Sequence, residues 1–207
     1  MAPNISFMLW LGLLLGGCVT GHIEEPKYEI ITSDGDFELR TYQSRIVAET
    51  IVSGDFSNAP KAGFQRLADY IFGNNTTSSK IAMTAPVSQE PKGETIAMTA
   101  PVGQEPFERE NTWRISFTMP SSYTMQNLPT PNNKQVSLRE LPKETFAAVR
   151  FSGLNRKSLV LEKTRDLRNW LKDQGRKEVG TEPIYARYNP PWTLWFLRRN
   201  EILIQVD

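Results

Sequence analysis

Cysteine and histidine are almost missing from this chain: its 207 residues hold one of each, Cys18 and His22. No internal disulfide can form, and neither a Cys/His zinc site nor a Cys-His nucleophilic pair fits within the body of the chain. An excess of one charge is lacking too. Lys plus Arg number 24 against 23 Asp plus Glu, a net charge of +1 with no long run of either sign, which argues against bulk nucleic-acid binding. The apolar run near the start, roughly residues 5–15, falls short of the ~20 residues that a membrane-spanning helix needs. Aromatic residues make up 10% of the chain, and its length suffices for a real hydrophobic core, so an ordered domain is expected.

The short apolar run has the size of a secretory signal core, although no Lys or Arg precedes it. It ends in Leu15-Gly16-Gly17-Cys18, which resembles the bacterial lipobox, where the Cys thiol is acylated before cleavage. The expected organisation is a signal peptide over residues 1–17, a lipidated Cys18 with a tether to residue 27, and one domain over residues 28–207. An acylated Cys18 would hold the protein on a membrane, each buried CH₂ contributing about 0.8 kcal/mol. By resemblance to lipoprotein sorting patterns, Val19 after the Cys points to export and anchoring at the bacterial outer membrane.

Periodicity places strands at residues 28–32, 37–42 and 45–52, the first two joined by the turn Ser33-Asp34-Gly35-Asp36. Residues 59–72 carry Phe64, Leu67, Ala68, Ile71 and Phe72 at helical spacing, stopped by Gly73-Asn74. Trp113, Ile115, Phe117 and Met119 alternate as in a half-buried strand, and residues 120–134 read as a long loop. Strands over 136–141 and 145–153, a helix over 158–172 with Val160, Thr164, Leu167 and Leu171 inward, and strands over 185–188 and 201–206 repeat the first half's order. The order predicts an α+β domain: mainly antiparallel strands curled into a barrel or saddle, with helices outside.

The heptapeptide IAMTAPV is written twice, at Ile81 and Ile96, each copy trailed by Gln-Glu-Pro. Alternation makes each copy a strand candidate, with Ile96, Met98, Ala100 and Val102 on one face of the second. Pro86 and Pro101 must then sit at an edge, an end or a bulge. Met83 and Met98 either fill an irregular core or line a pocket for a flat apolar ligand. The repeat alone does not choose.

Several segments together resemble the SOUL heme-binding proteins: YEIITSDGDFELRTYQSRIVAET, GFQRLADYIFGNN, KIAMTAPV with its second copy, ISFTMPSSYTMQNLPTPNNKQVSLREL and RYNPPWTLWFLRRNEILI. The resemblance covers about residues 28–206. It implies a twisted, mainly antiparallel, eight-stranded barrel-like sheet from two pseudo-equivalent halves, flanked by two longer helices. It also implies reversible binding of heme or another tetrapyrrole in an apolar groove beside the first helix. Carried over by position, Phe64, Leu67 and Ile71 would face the macrocycle, with Met83 and Met98 beside it and Lys61 and Arg66 meeting its carboxylates. The alternative for Lys61 and Arg66 is the helix's solvated face. No His lies beyond His22, which could serve only by reaching back from the tether or from another molecule; otherwise an axial ligand would be Met83, Met98 or a Tyr, or none, and metal-free porphyrin should then bind about as well as heme.

The function expected is that of a membrane-anchored, non-enzymatic tetrapyrrole carrier, buffer or scavenger, with tetrapyrrole and membrane as partners and no nucleic acid. The alternatives are an enzyme of tetrapyrrole metabolism using a carboxylate such as Glu49 or Glu201, or a Tyr with a shifted pKa, as general acid, or an envelope interaction protein that binds no ligand. Arg198-Arg199-Asn200-Glu201 reads as a local surface ion pair pinning the entry to the last strand.

Overall fold

A computed structural model describes residues 23–77, 93–154, 156–179 and 182–207. The signal-like run, Cys18, His22 and the first heptapeptide copy with Met83 lie outside the described residues. The body begins with a meander: β1 (Tyr28–Asp34), β2 (Phe37–Tyr42) and β3 (Arg45–Ser53), then α1 (Ala59–Ile71) and the short β4 (Asn75–Thr76). After it come β5 (Val102–Phe107), β6 (Arg109–Thr118), the short β7 (Thr130–Pro131), β8 (Val136–Leu141), β9 (Glu144–Phe151), α2 (Lys157–Asp173), β10 (Ile184–Arg187) and β11 (Asn200–Val206). Among the described residues no helix is long and apolar enough to cross a membrane.

Nine strands, rather than eight, form one sheet in the order β1-β2-β9-β11-β10-β5-β6-β3-β8, and every neighbouring pair is antiparallel. The sheet curls strongly but stays a half-barrel, since β1 and β8 are its two edges and do not pair with each other. Strands from early and late in the chain interleave: β2 pairs with β9, and β3 with β8. Each helix covers one half of the convex face.

Period-two alternation decides which side chains meet the helices. Under α1, Ala48 and Val52 of β3, Ile115 and Phe117 of β6 and Val136 of β8 pack with Leu67, Tyr70 and Ile71. Under α2, Leu39, Ala147, Val149, Ile202 and Ile204 pack with Val160, Leu167, Trp170 and Leu171. The helix spacing expected for α2 holds, with Trp170 added: its ring stacks on Phe37 at 5.6 Å and its Nε1 donates to Asp34 at 3.2 Å. Seating of α1 depends on Gly63, where a Cβ would come within 2.4 Å of Ile115 Cγ1. Asn58 does not cap α1 with its own side chain; Asp55 instead accepts from the Ser57 and Asn58 backbone N–H groups at 2.9 and 2.8 Å.

The second heptapeptide copy is not a strand. Ile96, Thr99 and Ala100 are buried while Ala97 and Met98 are exposed, a spacing that no alternating strand produces. The cause lies in its partners, which change along the segment: Ile96 N–H donates to Ile71 O at the end of α1, Ala100 N–H to Glu24 O, and the Thr99 hydroxyl to Thr118 O. Only Thr99 forms a bridge, a parallel one to Glu24. The ladder starts at Val102 and runs through the Gln-Glu-Pro tail, with Pro106 placed at a register shift opposite β6.

Candidate functional site

The expected groove beside α1 divides on inspection. Leu67 and Ile71 are core residues beneath the helix and are closed to a ligand. Phe64 is partly exposed, with its ring edge-on to Phe117 at 5.4 Å, and Lys61 is exposed. Arg66 lies along β3, donating through Nη1 to Thr50 Oγ1 at 2.7 Å and to Ile51 O at 3.1 Å, so it is held by the protein itself. Met98 is an exposed side chain rather than core filler.

The opposite, concave face carries the charged chemistry. Strand residues that point away from the helices meet here: Arg40 and Tyr42 of β2, Arg45 and Glu49 of β3, Arg114 of β6, Phe146 and Ala148 of β9, Glu201 and Leu203 of β11. Tyr42, Phe146, Ala148, Ala186 and Leu203 form a small buried apolar floor, with Phe146 edge-on to Tyr42 at 5.7 Å. Two ion networks flank that floor.

The first network is buried at its centre, Arg40 and Glu201, and partly exposed at its margins. Arg40 grips Glu201 with two N–H groups, Nη1 at 2.6 Å and Nη2 at 3.2 Å, and its Nε donates to Glu38 at 2.6 Å. Arg199 Nε donates to the same Glu201 at 2.9 Å, the Tyr188 hydroxyl at 2.8 Å, and Arg199 Nη1 reaches Glu25 at 3.0 Å. Burial by itself pushes the Glu201 carboxyl up, but bonding and charge from Arg40, charge from Arg199 and the bond from Tyr188 outweigh it and hold the group below the ordinary carboxylate range. The local ion pair expected from Arg199 and Glu201 exists, yet it is corrected in kind: it belongs to a six-residue network centred on a buried carboxylate and not to a solvated surface. A carboxylate held ionised by two guanidinium groups is a poor proton donor, which removes Glu201 as the general acid of an enzymatic alternative.

The second network lines a cavity. Glu49 Oε2 accepts from Arg139 Nε at 3.0 Å and Nη2 at 2.8 Å, Arg114 Nη1 donates to Glu105 at 2.6 Å, and Arg45 Nη2 donates to Glu144 at 3.2 Å. Two guanidinium nitrogens remain over. Arg45 Nη1 and Arg114 Nε are buried and reach no hydrogen-bond acceptor among the described residues, Arg114 Nε standing 3.6 Å from Glu49. Burial pulls the Arg45 guanidinium below its ordinary value, against the raising effect of Glu144. Both side chains line a cavity of about 250 Å³ over the apolar floor, and Arg45 also lines a neighbouring cavity of about 380 Å³ between β3 and the residue 120–126 turn.

Sequence reasoning missed this face. Alternation in β2, β6 and β9 marks which residues oppose the helices, but charged residues there look like an ordinary solvated surface until the sheet's curl closes over them.

Comparison with known proteins comes to the same chain-wide pattern. A sequence model of the SOUL heme-binding protein family matches residues 23–205. Heme-binding protein 2 of Mus musculus is 29% identical over 195 residues, spanning 86% of this chain and 88% of the mouse protein. Heme-binding protein 2 of Homo sapiens is 30% identical over 177 residues, spanning 81% of this chain and 80% of its own. Among solved structures the C-terminal domain of EcmrR superposes with a TM-score of 0.57 at 14% identity, covering 87% of this chain and 98% of that domain, a likeness of fold alone.

Proposed function

We propose, from the premise that this chain belongs to the SOUL heme-binding protein family, that it binds a carboxylate-bearing tetrapyrrole as a carrier, buffer or scavenger and does no chemistry on it. The observation that carries this reading to a place on the molecule is the pair of unanswered guanidinium N–H groups, Arg45 Nη1 and Arg114 Nε, beside the floor of Tyr42, Phe146 and Leu203. A buried donor without an acceptor costs about 1–3 kcal/mol, and an incoming carboxylate answers it with a charge-assisted bond. The aromatic and aliphatic floor supplies apolar contact for one edge of a macrocycle. Ligand pockets run to about 300–1,000 Å³, so the ligand would occupy both cavities that meet at Arg45 and extend into solvent.

Absorbance and tryptophan-quenching titrations with hemin and with protoporphyrin test the site. Saturable one-to-one binding that weakens in Arg45→Gln/Arg114→Gln and persists in Lys61→Ala/Arg66→Ala supports the concave face. Loss in the second variant alone returns the ligand to the flank of α1, where Phe64 and Phe72 are exposed. Failure of both ligands to saturate removes the tetrapyrrole reading.

Export and anchoring through an acylated Cys18, at the bacterial outer membrane, complete the proposal, supported by the Leu15-Gly16-Gly17-Cys18 sequence. The intact mass of membrane-extracted protein checks it: a chain starting at Cys18 with added acyl mass agrees, and an unmodified Cys18 does not.

A further inference from the structure

Residues 189–199 read Asn-Pro-Pro-Trp-Thr-Leu-Trp-Phe-Leu-Arg-Arg, and the fold turns their apolar side chains outward. Trp192 is 82% exposed, and Leu194, Trp195, Phe196 and Leu197 are between 52% and 63% exposed. Five large apolar side chains within six residues make a contiguous patch of a kind that monomeric soluble proteins rarely show to water.

The loop is built rather than slack. Arg198 holds it from inside, its Nε donating to Thr193 O at 2.8 Å and its Nη2 to Pro191 O at 2.5 Å. Gly153 N–H donates to Trp195 O at 3.0 Å, Leu197 N–H to Leu194 O at 2.9 Å, and Arg199 N–H to Asn189 Oδ1 at 2.6 Å. Trp195 and Phe196 sit edge to face at 5.5 Å. A backbone so fixed keeps the side chains displayed.

The two stretches that build the patch hold no acidic residue, and Glu25 at the loop's foot is paired with Arg199. No Asp or Glu occurs between Glu182 and Glu201, and none between Glu144 and Glu162. The second stretch backs the loop through Gly153 and brings the exposed Leu154 together with Arg150, Arg156 and Lys157, all exposed. Arg150, Arg156, Lys157 and Arg198 make no ion pair with a carboxylate among the described residues. Trp, Phe and Leu ringed by unneutralised cations are what an anionic lipid surface accepts, rings at headgroup depth and cations against phosphate.

The first described residues lie at the foot of the loop. Glu25, two residues after the first described one, pairs with Arg199 at 3.0 Å. Cys18 precedes it by seven residues, at most about 25 Å of extended chain.

We propose that residues 189–199, with the cations of residues 150–157, form a docking surface for an anionic lipid bilayer. The proposal extends the anchoring reading above without depending on it: the surface needs no acyl chain. A lipid at Cys18 would only hold it near its target.

Hydrogen exchange read by mass spectrometry on the full chain carrying Cys18→Ser tests the surface without any acyl group. The arms are no lipid, phosphatidylcholine vesicles, and vesicles rich in phosphatidylglycerol. The expected result is that loop amides and those of residues 154–157 exchange at least about tenfold more slowly on the anionic vesicles, with less effect on the neutral ones. Arg156→Ala/Lys157→Ala should weaken that protection, and Trp192→Ser/Trp195→Ser/Phe196→Ser should abolish it even where residues 5–15 still carry the chain onto the vesicle. The native chain decides by itself if a variant folds poorly. An unprotected loop on a chain that floats with anionic vesicles overturns the proposal. So does protection that rises with protein concentration in the absence of lipid, which would mark a second copy, or protection by hemin alone, which would mark a ligand cover.

Discussion

Arg40 and Glu201 lie 161 residues apart in sequence and meet as a two-bond fork inside the sheet, 2.6 and 3.2 Å between paired atoms, with almost no solvent on either side chain. Arg40 stands on β2 and Glu201 on β11, with β9 between them, so the pair spans one intervening strand. Both belong to the concave face. Removing Glu201 would leave two guanidinium groups, Arg40 and Arg199, without their shared buried carboxylate and with only Glu38 and Glu25 at the margins to answer them.

Glu201→Gln should therefore lower stability by about 3–5 kcal/mol, read as a reduced urea midpoint. The pH dependence follows from the direction of the Glu201 shift. Its carboxyl is held below the ordinary value of 4.5, so its contribution is fully present above that pH and is lost as pH falls through the lower folded value. The native protein should lose stability on acidification below about pH 4.5, more steeply than Glu201→Gln does.

The alkaline side has its own reporter. Tyr123 donates its hydroxyl to Glu94 at 2.5 Å, and that bond to a carboxylate, ahead of burial, pushes the phenol up to about 12. A folded value above the unfolded one of 10 means that its contribution is complete below pH 10 and is lost as pH rises towards 12. Burial raises Tyr42, Tyr70, Tyr185 and Tyr188 as well, so the tyrosinate band should show a step near pH 12 that is specifically lost in Tyr123→Phe. Stability of the variant should fall less between those pH values.

Gly63→Ala adds a single methyl where Ile115 leaves no room, 2.4 Å to its Cγ1 and 2.6 Å to its Cβ. The contact is with the branch point of Ile115, not with a swinging tip, so the helix must lift from β6. A loss of about 1–3 kcal/mol is expected in denaturant unfolding, against a gain for the same change on an exposed helix face.

Iron should matter little to binding. The described lining of the cavity beside Arg45 and Arg114 holds no His or Met, and Met119 and Met125 line only the neighbouring one, so hemin and metal-free protoporphyrin should bind within about tenfold of each other unless one of those thioethers reaches the iron. Either one, at a hundred times its dissociation constant, should raise stability by about 2.7 kcal/mol. A strong preference for hemin in difference spectra would argue for an axial ligand from elsewhere in the chain.

Much of the scaffold was legible in the sequence because it follows from local periodicity. Helix α1 was expected over residues 59–72 and runs to Ile71, and α2 was expected over 158–172 and extends one residue at each end. Alternation also assigned Phe37 and Leu39, or Ile115 and Phe117, to one shared face. What alternation does not encode is which residues on the other face a curled sheet will enclose. Arg45 and Arg114 look like surface cations by pattern, and only pairing across five strands shows them walled in by Tyr42, Phe146 and Glu105. The heptapeptide failed for a related reason: Ile96 answers a helix end while Thr99 and Ala100 answer two other segments, so its burial has no single period. Leu67 and Ile71 were expected at a ligand, but the helical stripe that makes them apolar is the stripe that seats α1.

The position of β11 sets a condition on how this protein is made. Strand β11, last in chain order among the described strands, lies between β9 and β10 and joins one half of the sheet to the other. A nascent chain that has already emerged through β10 still holds open strand edges along its centre, with Ala147, Val149 and their neighbours uncovered on the side β11 will take. Closure waits for residues 200–206. Until then the two halves of the sheet share no ladder at its centre, and a cut or stop codon that removes residues 200–206 takes the keystone rather than a fringe.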